Sequence, residues 1–125
     1  MILVDTSVWI DHLHKRIPAL VDALENQSVL IHPLVIGELA CGPLTNRDEV
    51  LDLLATLPSS AVATDTEALE LIERQRLMGK GIGYFDVHLL AAAMLTGGAQ
   101  LWTRDKRLAG IADRLRCAFE DVRAT

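Results

Sequence analysis

The stretch Met1-Ile2-Leu3-Val4-Asp5-Thr6-Ser7 decides how the chain is read. Four apolar residues without a polar interruption suit a short strand buried on both faces, the kind found in parallel sheets. Asp5, Thr6 and Ser7 then end the strand and supply capping side chains for a helix carrying Val8, Trp9, Ile10 and Leu13. A strand feeding directly into a helix is the start of a β-α-β unit.

The alternation continues outward from there. Ile17-Pro18 opens a helix carrying Leu20, Val21 and Leu24, with proline in the first turn. Val29-Leu30-Ile31 is a second buried strand, and Pro33 starts a helix that Gly42-Pro43 stops. Thr45 or Asn46 caps the next helix, with Val50, Leu51, Leu53, Leu54 and Leu57 expected to face inward. Ala61-Val62-Ala63 reads as a weak third strand, and Thr66 to Met78 as an amphipathic helix ended by Gly79-Lys80-Gly81. Phe85 to Thr96 is a helix apolar on nearly every face, which belongs in an interior. Ala99 to Trp102 is a strand, Asp105 to Leu115 a helix, and Cys117-Ala118-Phe119 a last strand. Such alternation predicts an α/β fold: a central parallel sheet of about four to five strands between helices, in three layers α/β/α. Ligands then sit beyond the carboxyl ends of the strands, where Asp5 and Asp105 fall.

The 125 residues suit one domain, 1–125, with a core built from Leu, Val, Ile and Ala because aromatic residues are scarce. The apolar N-terminus meets Asp5 too soon for a targeting segment, and Asp86, His88 and Gly97-Gly98 interrupt the longest apolar run, so no membrane span is expected. Cys41 and Cys117 form no CxxC pattern and read as reduced core thiols of a cytoplasmic protein. The net charge of −5 weighs against a nucleic-acid partner, but basic residues recur at Lys15-Arg16, Arg74 to Lys80, and Arg104 with Lys106-Arg107. Committing four carboxylates to a metal would bring the balance near neutrality.

Four acids stand out. Asp5 is a helix cap or, directly after a buried strand, a site residue. Glu38 has Leu34, Val35, Cys41 and Gly42 one helical turn away, with no polar neighbour of the kind a solvated face shows. Asp86 opens the apolar helix, where an unpaired carboxylate is costly. Asp105 follows a strand and doubles as a cap. Clustered carboxylates repel and raise one another's pKa values, a conflict that a divalent cation removes. An all-oxygen set suits magnesium or manganese rather than zinc. His12, His14, His32 and His88 lack zinc-ligand spacing, Ser7 and Cys41 have no recognisable base partner, and Gly79 to Gly83 follows a helix rather than the strand that a phosphate loop needs.

In this order and spacing, Ile2-Leu3-Val4-Asp5-Thr6-Ser7, Glu38, Asp86 before Leu89-Leu90-Ala91-Ala92-Ala93, and Thr103-Arg104-Asp105 resemble the PIN-domain family, and more narrowly its VapC-type toxins, over nearly the whole length. The resemblance implies a Mg²⁺- or Mn²⁺-dependent endoribonuclease that cuts single-stranded or looped RNA. It also implies a homodimer held inactive by a cognate VapB-type antitoxin. Asp5, Glu38, Asp86 and Asp105 would hold one or two ions, which activate water and stabilise charge on the phosphate. Thr6, Ser7 and Thr103 would bond to those ligands or to substrate, and Lys15, Arg16, Arg104 and Lys106 would meet RNA phosphates. One departure is Arg107, where some relatives carry a further acid; it bears on a second metal site.

Two other readings compete. A PIN-like module that binds protein or RNA without cutting would share the fold. A receiver-type signalling domain would share an acidic magnesium pocket, but Asp48 and Asp52 fall in a helical pattern instead of ending a central strand. A haloacid-dehalogenase phosphatase fails at Ser7, where its second Asp would stand.

Overall fold

The computed structural model describes residues 1–121. Its elements run β1 (Ile2–Val4), α1 (Thr6–His14), α2 (Pro18–Glu25), β2 (Val29–Leu30), α3 (Pro33–Cys41), α4 (Arg47–Thr56), α5 (Asp65–Gln75), α6 (Tyr84–Leu95), β3 (Gln100–Trp102) and α7 (Lys106–Arg114). The three strands lie parallel in the order β2-β1-β3, with Leu3 opposite Leu30 on one side and Leu101 on the other. Leu3, Val4, Val29, Leu30, Leu101 and Trp102 are all buried. Successive strand residues point to opposite faces, so burial of neighbours in sequence means that helices cover both faces.

Two isolated parallel bridges widen the sheet by one rung at each edge, Ile31 to Ser59 beyond β2 and Leu101 to Ala118 beyond β3. The expected last strand around Ala118 is therefore a single bridge. The expected strand at Ala61-Val62-Ala63 does not form; the edge contact falls earlier, at Ser59, where Ile31 N–H donates to Pro58 O and Ser60 N–H to Ile31 O. Val62 is exposed, and among the described residues this short edge has no partner beyond it to reward a longer ladder.

α6 behaves as its composition demands. Val87 to Ala93 are all buried, and the helix packs on α5 and β3. α5 begins with a reciprocal capping box: Glu67 N–H donates to Thr64 Oγ1 (3.1 Å) and Thr64 N–H to Glu67 Oε1 (2.9 Å). Two inward assignments are corrected. Leu53 is 52% exposed, because the face of α4 toward the core is narrow and Leu54 fills it. Cys41 is exposed at the end of α3, whereas Cys117 is buried. No helix among the described residues is long and apolar enough to cross a membrane.

Topology places the site. The chain passes from β1 to β2 on one side, and β3 then pairs with the opposite side of β1. The order reverses between β1 and β3, and Asp5 and Thr103 leave the carboxyl ends of those two strands.

Candidate active site

Asp5 is only 6% exposed, and its N–H donates to Trp102 O (2.9 Å), which ties it to the end of β3. It occupies the N-cap position of α1, yet its side chain caps nothing. Oδ2 accepts instead from Ser7 Oγ (2.7 Å) and Thr103 Oγ1 (2.8 Å). Each hydroxyl gives its single proton to the carboxylate and accepts from a backbone N–H, Ser7 from Arg104 (3.0 Å) and Thr103 from Asp105 (3.1 Å). The network stitches the start of α1 to the loop before α7. It also leaves Asp5 Oδ1 outside both bonds.

The same economy recurs at two further acids. Asp105 does cap α7: its Oδ1 accepts from Arg107 N–H (2.9 Å) and Leu108 N–H (3.1 Å). Asp86 stands at the third position of α6 rather than at its cap, and its Oδ2 accepts from Gly83 N–H (3.3 Å). Each carboxylate is thus oriented through one oxygen, with the other outside those bonds. Glu38, the fourth acid, is exposed on α3. It lies at the rim of an apolar cleft of about 370 Å³ lined by Ile10, Leu13, Leu39, Leu44 and Val50.

Asp86 reports how these acids relate. Burial pushes its carboxyl above the usual range, the Gly83 N–H opposes the rise, and the charges of Asp5, Asp105 and Glu38 then push it further up. The charges of acids at the caps of α1 and α7 and on α3 therefore reach one carboxyl on α6. They do not form a tight cage: among the described residues no three His, Cys, Asp or Glu side chains are close enough together to hold an ion directly. Magnesium binds through one or two carboxylates and keeps several waters, so oxygens oriented in this way fit a hydrated ion rather than a fully protein-ligated one.

The other expected residues divide. Ser7 and Thr103 are in the network. Thr6 is not: it is buried, and its Oγ1 has no hydrogen-bond partner among the described residues. Lys15, Arg16 and Arg104 line one shallow groove with Asp11, His14 and Asp121, and Arg104 Nε lies 3.6 Å from Asp11. Lys106 is exposed at the start of α7, outside that groove.

A second polar cluster escaped sequence reasoning. Tyr84 Oη donates to Asp65 Oδ1 (2.6 Å), and His88 Nε2 lies 3.2 Å from the same oxygen. The Tyr84 and His88 rings meet edge to face at 4.6 Å. Their four-residue spacing on α6 was readable, but nothing in the sequence points to Asp65 as their partner. His32, 1% exposed, caps α3 by accepting from Leu34 N–H at Nδ1 (3.0 Å), and burial followed by the charge of His88 lowers its pKa.

Comparison with known proteins sets this geometry in context. A family model described as "PIN domain" matches residues 2–114. Two relatives, both named Ribonuclease VapC32, come from Mycobacterium tuberculosis strains CDC 1551 / Oshkosh and ATCC 25618 / H37Rv. Each is 55% identical over 108 residues, which span 86% of this chain and 87% of the relative.

Proposed function

The chain belongs to the PIN-domain family, in its VapC-type branch, and on that premise we propose that it is an endoribonuclease whose activity depends on Mg²⁺ or Mn²⁺. The observation that carries the proposal is the set of three aspartates, each oriented through one carboxylate oxygen, whose charges and that of Glu38 meet at Asp86. Asp5 and Asp86 are the inner ligands in this reading, with Asp105 and Glu38 acting directly or through water. When bound, the ion lowers the pKa of water and offsets charge on the phosphate.

The chain's own residues do the rest. Ser7 and Thr103 fix the Asp5 carboxylate, and Gly83 and the first turn of α7 hold Asp86 and Asp105. Preorganised acids need no rearrangement when the substrate arrives. Lys15, Arg16 and Arg104, sharing one groove, are proposed contacts for RNA phosphates; Lys106 is a weaker candidate because it stands apart.

The partner in this reading is a VapB-type antitoxin, the chain being the toxin of the pair, in the cytoplasm and with 1–125 acting as one domain. An apolar cleft with Glu38 at its rim suits an apolar segment that also presents a basic side chain to the acids. Homodimer formation is proposed as well, supported by exposed apolar residues such as Leu34, Val62 and Tyr84.

The wide spacing of the acids favours one alternative, a PIN-like module that binds without cutting. Incubating the purified chain with structured and single-stranded RNAs, in Mg²⁺, Mn²⁺ or chelator, separates the two. Metal-dependent cleavage lost in Asp5→Asn and Asp86→Asn selects the nuclease. Metal binding without cleavage of any RNA selects the module.

A further inference from the structure

Gly81 differs from every other glycine of the chain. A Cβ built on it would stand 2.5 Å from Arg107 Nη1, 2.7 Å from Cδ and 3.0 Å from Cζ, while at Gly79 and Gly83 it would meet nothing within 4 Å. The Arg107 side chain thus lies against Gly81 in the loop before α6, in space that a side chain at position 81 would contest. The backbone of Gly81, at φ +82°, independently favours glycine.

Both ends of Arg107 touch the frame of the site. Its own N–H donates to Asp105 Oδ1 (2.9 Å), and its guanidinium covers Gly81, two residues before the Gly83 whose N–H holds Asp86 (3.3 Å). Yet the guanidinium forms no ion pair among the described residues. A cation is therefore seated between the anchor points of two acids without neutralising either. A site built from four acids repels a polyanion, and an exposed guanidinium at its border offsets part of that repulsion. Its planar fork matches phosphate oxygens, and its exposure at the start of α7 leaves it open to them.

The geometry points to Arg107 as a contact for an RNA backbone phosphate flanking the cleaved bond, in addition to the Lys15-Arg16-Arg104 groove, with Gly81 as the seat that orients it. The inference rests on the nuclease reading, and its test keeps the two apart.

Binding of a fluorescent single-stranded RNA is measured by anisotropy in chelator, where nothing is cut, across a series of salt concentrations. Arg107→Ala should weaken binding to all RNA sequences alike and lower the slope of log Kd against log salt by about 0.7, the share of one phosphate contact on a single strand. Arg107→Lys should restore most of the slope. Gly81→Ala, if folded by circular dichroism, should reproduce the Arg107→Ala slope, and the double variant should be no worse than either. An unchanged slope in Arg107→Ala, with a lowered melting temperature, would mean that the side chain only stiffens the loop and would overturn the inference while wild-type cleavage in Mg²⁺ stands. A wild-type chain that neither binds nor cuts RNA would overturn the inference together with the nuclease reading.

Discussion

Asp65 and Asp86 both lie in the first turn of a helix, α5 and α6 respectively, and their surroundings shift them in opposite directions. Hydrogen bonds from Tyr84 and His88 hold the Asp65 carboxyl below its ordinary range. Burial and three like charges hold Asp86 above it. The first corner is satisfied within the protein: its carboxylate has donors, and its neighbours gain from its charge. The second is frustrated: burial and like charges disfavour its charged form against the support of the Gly83 N–H, a conflict that a bound cation would relieve. On the proposed reading the first is an architectural cluster and the second a functional one.

The largest expected effect breaks the frustrated corner. Asp86→Asn or Asp5→Asn should lower kcat/KM for RNA cleavage by more than about a hundredfold, beyond what loss of an outer hydrogen-bonding partner costs. In chelator, however, Asp86→Asn should melt at or above the wild-type temperature. A raised folded pKa means that folding disfavours the charged form at neutral pH, so removing that charge costs the metal-free fold nothing. A large loss of chelator-state stability would instead make Asp86 architectural.

Next comes the response to metal. Magnesium at a hundred times its Kd should stabilise wild type by about 2.7 kcal/mol, read as a rise in melting temperature, and Asp86→Asn should lose most of that rise. An equal rise in both proteins would place the ion elsewhere.

Smaller still is the effect of the shared hydroxyls. Thr103→Val keeps the shape but removes the donor to Asp5 and the acceptor for Asp105 N–H, and should cost about tenfold in kcat with the fold retained. Ser7→Ala should behave alike, and steady-state kinetics on one RNA would rank them.

The smallest effect belongs to the satisfied corner. With its folded pKa depressed, Asp65 contributes stability that is present above the ordinary carboxylate pKa and is lost as pH falls through its lower folded pKa. Asp65→Asn should therefore melt slightly below wild type at pH 7, and the two curves should converge only once pH falls below the depressed folded pKa of Asp65, while cleavage stays unchanged. A loss of cleavage resembling that of Asp86→Asn would erase the distinction between the corners.

Much of the fold was legible because its signals are local. Met1 to Val4, Val29 to Ile31 and the helix behind Asp86 each declare burial through unbroken apolar runs. The errors fell where partners decide. Val62 has strand composition but no neighbour to pair with, and Leu53 shares an apolar pattern with Leu54 although only one of them meets the core. The site divides in the same way. All four acids were visible as residues out of place, whereas the bond from Thr103 to Asp5 joins positions 98 apart and the bond from Tyr84 to Asp65 joins positions 19 apart. Glu38 is exposed although Val35 and Leu39 on the same helix are buried, and it stands at the rim of a cleft that Leu39 and Gly42 help to line.

Sequence by itself determined the alternation of strand and helix, the burial of α6 and the candidacy of Asp5, Glu38, Asp86 and Asp105, since each follows from periodicity or from the cost of a charge among apolar neighbours. Only the tertiary structure decided that Asp5 caps nothing and is held by two hydroxyls, that Asp86 feels three other acids, and that Arg107 rests on Gly81. The physical reason is range: helix and strand preferences act over a few residues, but the field at a carboxylate and the space above a glycine are set by whatever the sheet order brings beside them.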